Sequence, residues 1–298
     1  MDVAAGGDGR NGQGPGPPLD LSRLGPADVR ARIAAGLDTV LIPLGCVERH
    51  GNPHTPLGLD GIIVGAVVER AARVADVVHT PLLPFGYAPM HVGEVGDGCG
   101  AVTLRGETFR RLLEDVGRSL IYQGFDRLVF VTLHGPNVPA AEEVLWTLRL
   151  HTGALVACYG GRESPSMKEI FSASPPERLT SDVEASMAMA LLGDTFRSDE
   201  YLGRSYEIHA PEWLGPSFSK VSGMGTAVAF RGAPNVHIGL NDYEYTSRIR
   251  ENMPPSHATA EHGNRMLDAL AQHLAEFVTE ARSLPVEVTQ RDFPERAR

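Results

Sequence analysis

Four residues able to hold a metal ion crowd one short stretch of this chain: Glu48, His50, His54 and Asp60. Glu48 and His50 are two apart. At that spacing on extended backbone, side chains point the same way, so the pair can converge on one point. Gly51, Pro53, Pro56 and Gly58 bend the backbone beyond His50 and can return Asp60 to that point. Imidazole combined with carboxylates suits zinc, manganese or iron better than calcium or magnesium. A polar loop at the end of a strand would show the same letters, so the elements around the stretch must decide between the two.

Residues 39–44 (TVLIPL) are β-branched and aliphatic and lead into Gly45, the pattern of an interior strand in a parallel sheet. Residues 61–74 have helical spacing, with Arg70 and Arg73 suited to a helix C-terminus. Residues 77–83 read as a second strand closed by Pro84, and 101–104 as a short one after a glycine-rich stretch at 86–100. The amphipathic helix at 108–123 is stopped by Gly124. Residues 128–133 (LVFVTL) form the strongest strand and run directly into His134. A helix at 140–150 and a strand at 154–159 come next. A further helix, 183–192, is preceded by the N-cap candidates Thr180, Ser181 and Asp182. A long helix closes the chain from about 257 to 281. This alternation implies βαβ units: a mainly parallel sheet with helices on both faces. Ligands of such sheets bind beyond the carboxyl ends of the strands. Two separate strands deliver ligand-type residues to that edge, Glu48 with His50 from one and His134 from the other.

Composition narrows the function classes. A net charge of −10, with arginines scattered rather than clustered, argues against nucleic acid or an anionic membrane as partner. Three cysteines (Cys46, Cys99, Cys158) without a CxxC spacing suggest neither a disulfide framework nor a zinc ribbon, and a reducing cytoplasm is the expected home. No apolar run approaches about 18 residues, and no signal peptide is expected. Residues 1–18 are too polar and glycine-rich to order themselves. One domain is expected over 19–284, with a loose polar tail at 285–298.

Five segments in order give the chain a resemblance to the creatininase (creatinine amidohydrolase) family over roughly residues 20–282. They are Gly45-Cys46-Val47-Glu48-Arg49-His50-Gly51-Asn52-Pro53-His54-Thr55-Pro56 with Asp60; Phe85-Gly86-Tyr87-Ala88-Pro89-Met90-His91; Thr132-Leu133-His134-Gly135-Pro136-Asn137; Glu184-Ala185-Ser186; and Ala258-Thr259-Ala260-Glu261-His262-Gly263. The resemblance implies a three-layer α/β/α sandwich and a binuclear metal site with Glu48, His50, Asp60, His134 and Glu184 as ligands, Asp60 bridging. It implies two divalent ions per chain (zinc or manganese, with iron possible) and a homo-oligomer, a hexamer by family analogy. Its chemistry would be hydrolysis of a carbon–nitrogen bond, commonly in a cyclic amide, by a metal-activated water. The same site would also serve a cyclic-ketone carbon–carbon bond or a peptide bond, and a metal-binding scaffold without activity is the remaining alternative.

The chain departs from the family pattern at the inserted Asn52, at Pro136 in place of a glycine, at Met90 in place of a glutamate, and at Leu179-Thr180-Ser181-Asp182 where many members carry a proton-transferring histidine. His91 is the substitute for that role, with Asp182 behind it. His54 and Asn137 are expected to orient a ligand or to touch substrate. Cys46, where serine is common, is expected to be a packed small residue. Glu94, Asp97 and Cys99 fall in a flexible loop, and Trp213 and Tyr206 either line the pocket or serve core and subunit contacts.

Overall fold

Continuous hydrophobic runs, buried on both faces, build the centre of the molecule. In the computed structural model, which describes residues 19–50, 54–160, 179–197, 205–207, 209–220, 227–241, 244, 248–250 and 256–293, four strands pair in parallel. They are β1 (Thr39–Pro43), β2 (Val78–His79), β3 (Arg127–Val131) and β4 (Leu155–Tyr159), in the order β2-β1-β3-β4. Successive side chains of a strand face opposite ways, and the two cores obey that rule. Val40, Ile42 and Leu44 with Leu128 and Phe130 pack under α3 (Gly106–Gln123) and α4 (Asn137–Thr152), where α1 (Pro26–Ala34) joins them. Leu41, Val129 and Val131 pack instead against α2 (Leu59–Ala75), α5 (Leu179–Leu192) and α6 (Ala260–Ser283). The result is the α/β/α sandwich that the alternation of elements predicts.

Three expectations change. The strand expected at 77–83 has two residues in the ladder, because Pro81 and Pro84 have no N–H to donate; beyond it only Leu83 bridges, to Leu44. The strand expected at 101–104 is a single bridge between Val102 and Val47. Residues 285–293, expected to be loose, are held down. Thr289 N donates to Thr152 O at 2.8 Å, Arg291 bonds the Ile121 carbonyl and pairs with Asp126, and the Phe293 ring lies under the Arg118 guanidinium. Part of the glycine- and proline-rich span at 202–240 forms antiparallel ribbons: β5 (Ser205–Glu207) pairs with β9 (Arg248–Arg250), and β6 (Phe218–Lys220), β7 (Ala227–Phe230) and β8 (Ala233–His237) make a three-stranded sheet. Among the described residues no helix is long and apolar enough to cross a membrane.

The crossing of α5 over α6 depends on Gly263. A β-carbon there would lie 1.9 Å from the Ser186 carbonyl oxygen and 2.9 Å from the Ala190 β-carbon. Backbone cannot yield as a side chain can, so the helices would have to part. Gly263→Ala is expected to lower unfolding free energy by about 3 kcal/mol in urea titration, the upper part of the overpacking range. An ordinary mid-helix Gly→Ala change goes the other way, by about 1 kcal/mol. A variant as stable as the parent would show that the two helices do not meet here.

Candidate metal centre

The carboxyl edge of the sheet brings the predicted ligands together. β1 ends at Pro43, and Cys46, Glu48 and His50 lie just beyond it. β3 ends at Val131, with His134 three residues on. Asp60 comes from the first turn of α2, where the helix dipole favours a carboxylate. It can reach Glu48 because glycines face each other where α2 starts: a β-carbon on Gly45 would lie 3.0 Å from the Gly61 Cα.

Each carboxylate addresses both imidazoles. Glu48 Oε1 lies 3.1 Å from His134 Nδ1 and 4.0 Å from His50 Nε2; Asp60 Oδ2 lies 3.2 Å and 3.9 Å from the same two nitrogens. All four side chains are at most 9% exposed. Glu48, His50 and Asp60 form one trio with metal-ligand spacing, and Cys46, Glu48 and His134 a second, with Glu48 common to both.

His134 is fixed from behind. Its Nε2 is 3.1 Å from the Tyr87 carbonyl, which can only accept, so that nitrogen carries a proton and Nδ1 is the one presented to the carboxylates. Asn137 holds this arrangement. Its Oδ1 accepts from Tyr87 N at 2.9 Å, and its Nδ2 donates to the Gly45 carbonyl at 3.1 Å and to Thr132 Oγ1 at 3.2 Å. The side chain is wholly buried. Pro136, one of the departures from the family pattern, fits without distortion, its φ of −61° opening α4. Asn52, the other departure close to the ligands, lies outside the described residues.

The donor set suits a divalent cation. Two carboxylates buried side by side repel, and a shared cation removes that cost. Among the described residues, both ring nitrogens of His50 and Oε2 of Glu48 are buried without a hydrogen bond, which leaves one imidazole lone pair and one carboxylate oxygen for an ion. The field is strong enough to act on His134. Burial alone would push its pKa down, but hydrogen bonding to Asp60, Cys46 and Glu48 overrides this and raises it to about 12. The site draws positive charge.

Other predicted residues are placed differently. His91 sits beside the cluster, with Nε2 3.5 Å from Glu48 Oε2 and its ring edge-on to His134. Glu184 is half-buried on α5 and His54 half-buried in the turn before α2; neither falls in either trio. Asp182 has a fastening task. Its buried carboxylate accepts from Ser256 Oγ at 2.8 Å and from His257 N at 2.9 Å, tying the approach to α6 onto α5. Asp97 pins its own turn by accepting from Glu94 N and Cys99 N. Trp213 is exposed and donates to Glu244, while the Tyr206 side chain lies outside the described residues. Sequence reasoning missed Cys46 as a member of the cluster. The period-two spacing that joined Glu48 to His50 extends one step back to residue 46.

Comparison with known proteins gives a consistent picture. The sequence profile of the creatininase family, creatinine amidohydrolase, matches residues 23–278. A creatinine amidohydrolase of Pseudomonas putida is 31% identical over 111 residues, covering 37% of this chain and 42% of the relative. A mycofactocin precursor peptide peptidase of Mycobacterium ulcerans (strain Agy99) is 37% identical over 136 residues, covering 43% of this chain and 52% of the relative. The chain thus spans about half the length of the curated relatives it matches. Two solved structures share the fold at a TM-score of 0.63: a manganese creatininase at 19% identity and a mutant creatininase of zinc–zinc type at 20%, each aligned over 89% of this chain and 99% of its own.

Proposed function

Because the chain belongs to the creatininase family, we propose that it is a metal-dependent hydrolase that cleaves a carbon–nitrogen amide bond of a small molecule, a cyclic amide or lactam being the best fit. The observation that carries this reading is the buried convergence of Glu48, His50, Asp60 and His134 at the carboxyl edge of the sheet. A pair of divalent ions held there, zinc or manganese, would polarise an amide carbonyl and acidify a water molecule. Glu48 and Asp60 supply the charge that holds the ions, and Glu184 completes the ligand set. The Tyr87 carbonyl keeps the His134 ring in its tautomer. Burial keeps bulk water from screening these charges. His91, close to Glu48 and outside both trios, delivers a proton to the departing nitrogen. The working form is a homo-oligomer in the cytoplasm.

A second reading, cleavage of a peptide bond, is favoured by one observation: the peptidase relative is more similar, over a longer stretch, than the creatinine amidohydrolase relative. One screen separates the two. The chain, stripped by a chelator and reloaded with zinc or manganese, is offered lactams, cyclic ureas and formamides alongside short peptides. Turnover confined to the cyclic amides, lost on chelation and restored by metal, is the expected result. Turnover of peptides alone would replace the first reading by the second, and turnover that survives chelation would sink both.

A further inference from the structure

Cys46 is three residues beyond the end of β1 and is buried. Its Sγ, a carboxylate oxygen of Glu48 and a ring nitrogen of His134 all lie within 4.8 Å of one another. Sulfur, nitrogen and oxygen ligands sit at about 2.0–2.3 Å from a tetrahedral ion, hence about 3.4–3.6 Å apart. Closing this trio on an ion requires each pair of ligand atoms to approach by about 1.4 Å at most, within reach of a side-chain adjustment. The neighbouring trio supplies an independent sign of a ligand, since His50 is buried with both ring nitrogens unbonded. Residues 46, 48 and 50 share the period-two face of one extended segment. Among the three thiols Cys46 stands apart: Cys99 donates to the Val92 carbonyl at 3.0 Å, and Cys158 lies in β4 and packs against the core under α3 and α4.

We propose that Cys46 is a thiolate ligand to one of the two ions, so that the centre has one sulfur-containing position and one position of nitrogen and oxygen alone. This rests on the metal-dependent hydrolase reading. On binding, the S–H bond breaks, its proton passes to solvent, and a sulfur–metal bond forms with no change of oxidation state. Thiolate favours zinc or cobalt over manganese or magnesium, so the two positions differ in the ions they select.

Cobalt(II) reports this without any assay of activity. The full chain loaded with cobalt is expected to show visible d–d absorption together with an intense near-ultraviolet sulfur-to-cobalt charge-transfer band. Cys46→Ser should keep the visible absorption and lose the near-ultraviolet band. The Cys99→Ser/Cys158→Ser double variant, which leaves Cys46 as the sole thiol, should keep both. Competition between zinc and manganese should shift toward manganese by about tenfold or more in Cys46→Ser. Visible absorption without a charge-transfer band in the parent or the double variant would overturn the thiolate ligand and leave the metal centre standing. Failure of the parent chain to bind cobalt, zinc or manganese would overturn both.

Discussion

Glu48→Gln is expected to strip the chain of metal and to cut hydrolysis by about 10³-fold or more. Glu48 is the one residue shared by both ligand trios, so its loss weakens both positions. Glutamine keeps the shape of the side chain and its contacts but removes the charge that offsets the desolvation of a divalent ion. Bound ions contribute several kcal/mol of transition-state stabilisation, and about 1.4 kcal/mol corresponds to tenfold in rate. A loss of about 4 kcal/mol gives the quoted factor. Metal analysis of the purified variant and kcat/KM under metal-saturated conditions check the two halves separately. A Glu48→Gln chain that retains its metal and its turnover would remove Glu48 from the centre and with it the claim that the two trios form one site.

His91→Ala should lower kcat by about 10²- to 10⁴-fold with metal content unchanged, the range for loss of a general acid or base. His91 lies within 3.5 Å of Glu48 and is more exposed than the four residues of the cluster, a position from which it can meet both substrate and solvent. Two readouts separate proton delivery from structural support. Added imidazole should restore part of the rate, and substrates whose leaving amine is weakly basic should lose much less, because their nitrogen departs without help. An equal loss for good and poor leaving groups, with no rescue, would assign proton delivery elsewhere.

The order of elements and the side of the sheet that carries the chemistry are legible in the chain because both depend on local pattern. The aliphatic runs around Leu41 and Val129 require a sheet buried on both faces, and βαβ geometry then places Glu48 and His134 at the same edge. Legibility ends where a residue's partner is distant in sequence. Asp182 looks like a spare acid at a helix start, but the groups that occupy it, Ser256 and His257, lie more than 70 residues away. The segment at 285–293 is polar and would be loose alone; it is held by the Thr152 and Ile121 backbone and the Arg118 side chain, none of which its own composition reveals. The weak strand after Val77 is foreseeable from Pro81 and Pro84. Cys46 is within reach of the same spacing argument that finds His50, and the expectation of a small packed residue obscures it.

Asn137 shows where tolerance to change runs out in this molecule. One carboxamide stitches together the exits of two strands and the loop that supports an imidazole. Aspartate is isosteric, yet at this position it would set a negative oxygen against the Gly45 carbonyl, and a shorter side chain would release all three segments at once. Evolution or an engineer can therefore reshape the walls of this pocket far more freely than this single amide, which acts as the keystone on which the placement of every nearby charge depends.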